Sequence, residues 1–150
     1  MEVKMKRIVL LLIGMCLLAA LTGCTSFKAY TYNVNTGDQI ELRLDTSDKY
    51  DISSDLPFVI SRDGETLSQG SFITLEGYEQ FVQAVMSDSN AEVIEQKTRN
   101  GLEYIFYAYN ESEYNYAVKI VGSNTGLLIA NNVSQASAED CFNRLTIRKK

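Results

Sequence analysis

Apolar and polar residues alternate strictly along residues 39–45, with Ile40, Leu42 and Leu44 on one side and Glu41, Arg43 and Asp45 on the other. A period of two predicts a strand with one buried face. The same alternation returns at 114–121, where Tyr116, Val118 and Ile120 stand opposite Asn115, Ala117 and Lys119. Between these stretches the period changes. Tyr78, Phe81, Val82, Val85 and Met86 recur at i, i+3, i+4, i+7 and i+8, the stripe of an amphipathic helix, with Glu79, Gln80 and Gln83 on the other side. Near the end of the chain Ala138, Cys141, Phe142 and Leu145 share a helical face. A closing helix is therefore predicted from Ser134 or Ser137 to Ile147, with Ser137 and Asp140 approximating a capping box. Arg144, Arg148, Lys149 and Lys150 fall near its C-terminus, where the helix dipole favours cations.

Turn residues divide the remainder. Pro57 opens a strand that runs to Arg62, at a position where its missing N–H costs least. Asp63-Gly64 predicts a hairpin into a strand at 65–75, with Gly70 marking a bulge or break. Asn100-Gly101 predicts a second hairpin joining 92–99 to 102–109. Polar turns at 110–113 and 122–126 lead into 114–121 and 127–132, and a short strand fits near 50–53. Strands, helix, strands and helix in that order define an α+β domain, expected as a twisted antiparallel sheet covered by the two amphipathic helices.

The first residues follow a different logic. Lys4, Lys6 and Arg7 precede an uncharged apolar run from Ile8 to Leu21, long enough for a signal sequence and short of the ~20 residues that span a bilayer. Thr22 and Gly23 are small, and Cys24 follows at once. An ordinary secretory signal needs small residues there but no cysteine. Leu21-Thr22-Gly23-Cys24 resembles the lipobox of bacterial lipoprotein signals. That resemblance implies cleavage between Gly23 and Cys24 and a diacylglycerol (palmitate-type) anchor on the Cys24 thiol. It places the protein in the cell envelope, on the extracytoplasmic face of a membrane. It also divides the chain into a signal peptide at 1–23, a lipidated N-terminus and tether at 24–37, and one domain at 38–150.

Within the domain, the strand Ile40-Glu41-Leu42-Arg43-Leu44, the segment Gly70 to Tyr78 that leads into the first helix, and the closing 138–147 helix resemble the Mog1/PsbP-like α/β sandwiches. Small bacterial lipoproteins belong to that family. The resemblance implies a domain built to bind partner proteins, with no shared catalytic set to carry over.

Composition narrows the chemistry. Removing 23 of 150 residues leaves 127, which suits one domain. The removed segment takes 3 of the 14 basic residues and 1 of the 19 acidic ones, leaving a side-chain charge near −7. Such a charge disfavours nucleic acid, and anionic lipid as a partner through bulk electrostatics. Histidine is absent, which removes the usual general base, the Ser-His and Cys-His pairs and the commonest transition-metal ligand. With Cys16 cleaved away and Cys24 lipidated, Cys141 is left solitary, and on an apolar helical face it reads as an inert small hydrophobe.

Three groups of residues remain as candidate chemistry. Asp45, Asp48, Asp51 and Asp55 form an acidic run without the spacing of a calcium loop, and read as a solvated turn-forming segment rather than a metal site. Glu111 and Glu113 pair carboxylates in a polar turn. Tyr104, Tyr107, Tyr109, Tyr114 and Tyr116 cluster in the second hairpin. Tyrosines suit binding surfaces and also suit strands in general. Tyr107 and Tyr109 share a parity that Tyr104 does not, which predicts at least one ring outside the core. The sequence thus describes a lipid-anchored, non-catalytic domain without cofactor or metal that binds another envelope protein through the tyrosine face or a strand edge. Two alternatives stand beside it: a small-ligand or glycan-binding lipoprotein accessory to a transporter, and an envelope hydrolase working without histidine.

Overall fold

Each turn signal produces the strand break it predicts. The computed structural model describes residues 26–150, so the lipobox with Gly23 and Cys24 lies outside the described residues. The strands are β1 (Phe27–Asn33), β2 (Gln39–Asp45), β3 (Tyr50–Ile52), β4 (Phe58–Arg62), β5 (Glu65–Thr74), β6 (Ala91–Arg99), β7 (Leu102–Tyr109), β8 (Glu113–Ile120), β9 (Thr125–Asn131) and β10 (Leu145–Lys149). Helix α1 (Leu75–Ser87) follows β5, and α2 (Gln135–Arg144) lies between β9 and β10. Asn100 and Gly101 both take positive φ, 53° and 76°, the backbone of a two-residue turn whose twist matches the flanking strands. Thr74 caps α1 by accepting from the Gly77 N–H at 3.0 Å, and Ser134 caps α2 by accepting from Ser137 at 3.1 Å. Each such cap contributes about 1 kcal/mol.

The domain is α+β and mostly antiparallel sheet. It holds two sheets, ordered β1-β2-β10 and β3-β4-β5-β9-β8-β7-β6, in which every neighbouring pair is antiparallel. The main core lies between them. Ile40, Leu42 and Leu44 of β2 and Ile147 of β10 pack toward Phe58, Ile60, Val118, Leu127 and Ile129 of the large sheet, and α2 adds Ala138, Cys141 and Phe142 to the same cluster. On the opposite face of the large sheet Tyr78 and Val85 of α1 close a second, smaller cluster with Ile105, Tyr107 and Ala117. Strand β7 is therefore apolar on both sides, which is why its sequence reads as a near-continuous apolar run instead of alternating.

Four expectations change. Residues 27–33 are not tether: β1 pairs along its length with β2, from Phe27 opposite Asp45 to Asn33 opposite Gln39, because Tyr32 has a core site to fill. The strand at 65–74 runs unbroken through Gly70, and its bulge falls earlier, at Leu67, which has no partner between the Ile60–Ser68 and Ser61–Thr66 pairs. Gly70 sits directly opposite Phe58, whose ring lies where a Cβ at 70 would be. The closing helix stops at Arg144, and residues 145–149 form β10 along β2. Leu145 and Ile147 reach the core equally well from a strand, and pairing with β2 satisfies backbone that a longer helix would leave without a partner sheet. One face of the large sheet thus meets a second sheet as well as a helix, where two helices alone were expected.

Candidate functional site

The five tyrosines do not form a surface. Tyr104, Tyr107 and Tyr116 are buried, and Tyr109 and Tyr114 are half-buried against the two core clusters. The parity argument places Tyr104 and Tyr107 on opposite faces correctly, but both faces are covered, so each ring is buried except where it borders a hollow. Tyr116 stacks between Phe142 at 3.9 Å and Phe106 at 4.3 Å, and Tyr104 meets Phe142 edge-on at 5.0 Å. This four-ring cluster seats α2 on the large sheet. Burial raises the phenol of Tyr107 to about 12 and pushes that of Tyr116 up further, as expected for groups whose ionised form would have to leave water.

Two acids of the run, Asp48 and Asp45, dock one arginine. Arg144, in the last turn of α2, binds Asp48 at 2.7 Å and Asp140 at 3.2 Å, donates to the Ser47 hydroxyl at 2.9 Å, and lies 4.0 Å from Asp45. Its guanidinium also covers the Tyr50 ring at 4.1 Å. Asp51 pairs with Lys28, and Asp55 is exposed. Glu111 and Glu113 project into solvent, and Glu103 stands 3.7 Å from Lys119. Cys141 is buried, and burial raises its thiol above the ordinary value.

What remains open is β6, an outer strand of the large sheet. Of its nine residues only Ala91 and Glu95 are even half-buried, and Val93 and Ile94 are exposed side by side. Ile94 is an extra residue in the ladder, since Val93 pairs with Tyr107 and Glu95 with Phe106. Beyond this bulge, Glu95 to Arg99 pair regularly with Leu102 to Phe106, leaving a five-residue edge of standard geometry. On the α2 side of that edge lies a hollow of about 380 Å³. Tyr104 and Tyr116 line it together with Glu95, Lys97, Arg99 and Glu139. The Tyr104 hydroxyl donates to Glu95 at 2.9 Å and Arg99 donates to Asn143 at 3.2 Å, so the wall is polar and ordered. Two of the sequence-selected tyrosines thus belong to a site as its lining. The sequence pattern does not single out the rim residues, because which strand ends the sheet depends on distant pairing.

A second depression, about 350 Å³, lies on the α1 side of the large sheet. Phe81 and Tyr107, with ring centroids 6.2 Å apart, line it with Gln69, Ser71 and Asn115. No group of three or more metal-ligating side chains occurs among the described residues. No known protein family, curated protein or solved structure matches the chain.

Proposed function

We propose that the chain is a bacterial lipoprotein, held by a lipid on Cys24 at the extracytoplasmic face of a membrane, whose non-catalytic domain binds another envelope protein along the free edge of β6. The observation that carries this reading is the regular backbone edge at Glu95–Arg99 beside a polar hollow floored by Tyr104 and Tyr116. An incoming strand would pair with the edge through main-chain hydrogen bonds and place alternate side chains over the hollow. The charges of Glu92, Glu95, Lys97 and Arg99 and the bulge at Ile94 oppose indiscriminate pairing, so that a partner must match them. Helices on both faces of one antiparallel sheet, α2 on one side and α1 on the other, favour the Mog1/PsbP-like sandwich as the finer fold, from which the second sheet is a departure.

The test is site-specific photocrosslinking in intact cells. A photoreactive residue at Gln96 or Thr98 should yield one discrete adduct that is absent when the probe is at Glu79 on α1. Equal labelling at all three positions would sink the proposal.

The α1-side depression favours a second reading, a small-ligand or glycan-binding lipoprotein. Its lining is uncharged and includes the Phe81 and Tyr107 rings, the Gln69 and Asn115 amides and the Ser71 hydroxyl, groups that hold neutral polyols. Neutral oligosaccharides should then shift the aromatic signals of Phe81 and Tyr107 in NMR titrations. An unchanged spectrum at millimolar sugar rejects it.

A further inference from the structure

We propose that the corner formed by Phe27 and Arg43 is a phospholipid-facing surface, on which the domain rests against the bilayer that holds its anchor. The inference depends on the lipid-anchor reading of Cys24. The rest of it comes from β1 and β2.

Chain geometry sets the distance. Strand β1 begins at Phe27, three positions beyond Cys24. Three residues reach at most about 11 Å when fully extended. A leaflet's headgroup layer is about 5–7 Å deep, taken from the difference between hydrocarbon and total bilayer thickness. The start of β1 is therefore held within about a side chain's length of the headgroups.

The residues at that end suit such a neighbour. Phe27 is 53% exposed, the most exposed aromatic side chain among the large hydrophobics. The Arg43 guanidinium lies 3.4 Å over its ring, on the outer side of β2, because Leu42 and Leu44 turn inward. A ring beneath a cation is amphipathic in the way an interface requires, with apolar surface for the acyl boundary and a planar donor fork for a phosphate. Other cations at this end are already neutralised: Lys28 by Asp51, Lys49 by Asp63, and Arg144 by Asp48 and Asp140. Arg43 has no carboxylate within 4.0 Å among the described residues, which leaves its fork open to a headgroup phosphate, with Asp45, opposite Phe27, an acid along the same strand face. The net negative charge of the domain works against long-range attraction to a membrane. The anchor removes that obstacle by making the contact intramolecular, at a high effective concentration.

The chain contains no tryptophan, so Phe27→Trp introduces a single reporter. The full lipidated protein would be reconstituted in phosphatidylethanolamine–phosphatidylglycerol vesicles with lipids brominated high on the acyl chain. Val121→Trp is the control, an exposed position next to Gly122, whose carbonyl accepts from Lys149 at the far end of β10. Position 27 should be quenched several-fold more than position 121, and Arg43→Ser in the Phe27→Trp background should reduce that quenching. Equal, weak quenching at both positions overturns the inference, as does quenching at 27 that ignores Arg43→Ser. Flotation separates the two claims. Protein that floats with its vesicles but leaves position 27 in water refutes the surface alone, whereas protein that fails to float refutes the anchor and this inference with it.

Discussion

The carboxylate of Asp38 accepts a hydrogen bond from the Thr125 hydroxyl at 2.8 Å, joining the turn before β2 to the first residue of β9. The same oxygen accepts the Asn124 N–H at 2.7 Å, and the other oxygen binds Lys149 at 2.9 Å. One buried acid therefore links the small sheet, the large sheet and the C-terminal strand. The Lys149 ammonium first, then the Thr125 hydroxyl and Asn124 N–H, hold its carboxyl down to about 2. A depressed carboxyl contributes stability that is present above its unfolded value near 4 and is lost as pH falls through about 2. Thermal melting should weaken across that window, and Asp38→Asn should melt lower at pH 7 with a flatter acid limb. An acid limb as steep as the parent's would show that other groups dominate.

Gly70 faces the ring of Phe58 with no room for a methyl group. Gly70→Ala should destabilise by about 1–3 kcal/mol, the usual cost of overpacking a filled core. Phe58→Leu leaves a smaller side chain there, so the double variant should lose less than the sum of the singles. Urea titrations of the four proteins measure this coupling. Strict additivity would mean that the ring is not what excludes the methyl.

Arg144 gathers Asp48, Asp140 and Ser47 around a largely buried guanidinium. Arg144→Ala should cost about 1.5–3 kcal/mol, the range for hydrogen bonds to charged partners. Arg144→Lys should recover only part of this, since an ammonium cannot reproduce the forked donor geometry. Chemical denaturation of both variants provides the comparison.

Cys141 packs in the main core, 1% exposed, and burial raises its thiol pKa. Under native conditions at pH 8 a thiol reagent should react with it at a rate limited by opening of the structure, and quickly in denaturant. Rapid labelling of the native domain at Cys141 would contradict the packing of α2.

Much of the fold was legible because local chemistry and tertiary structure agreed. The alternation at Gln39–Asp45 is β2 with its bounds unchanged, and Asn100-Gly101 turns β6 into β7 where only a left-handed pair fits. Legibility failed where a residue pattern served two conformations. Leu145 and Ile147 fit either a helical stripe or a strand, and their pairing with β2, about a hundred residues away in sequence, decided for the strand. The tyrosines failed differently, since parity assigns a side chain to a face without saying what covers that face.

The sequence by itself determined eight of the ten strands in outline, the turns between them and α1, because each depends on residues within a few positions of one another. Tertiary structure alone decided that residues 27–33 join a second sheet, that Tyr104 and Tyr116 stack on Phe142, and that Arg144 draws Asp48 and Asp45 onto α2. It also left β6 as an outer strand with its side chains mostly exposed. These are contacts between distant segments, and no local pattern carries the information about which surface will meet which.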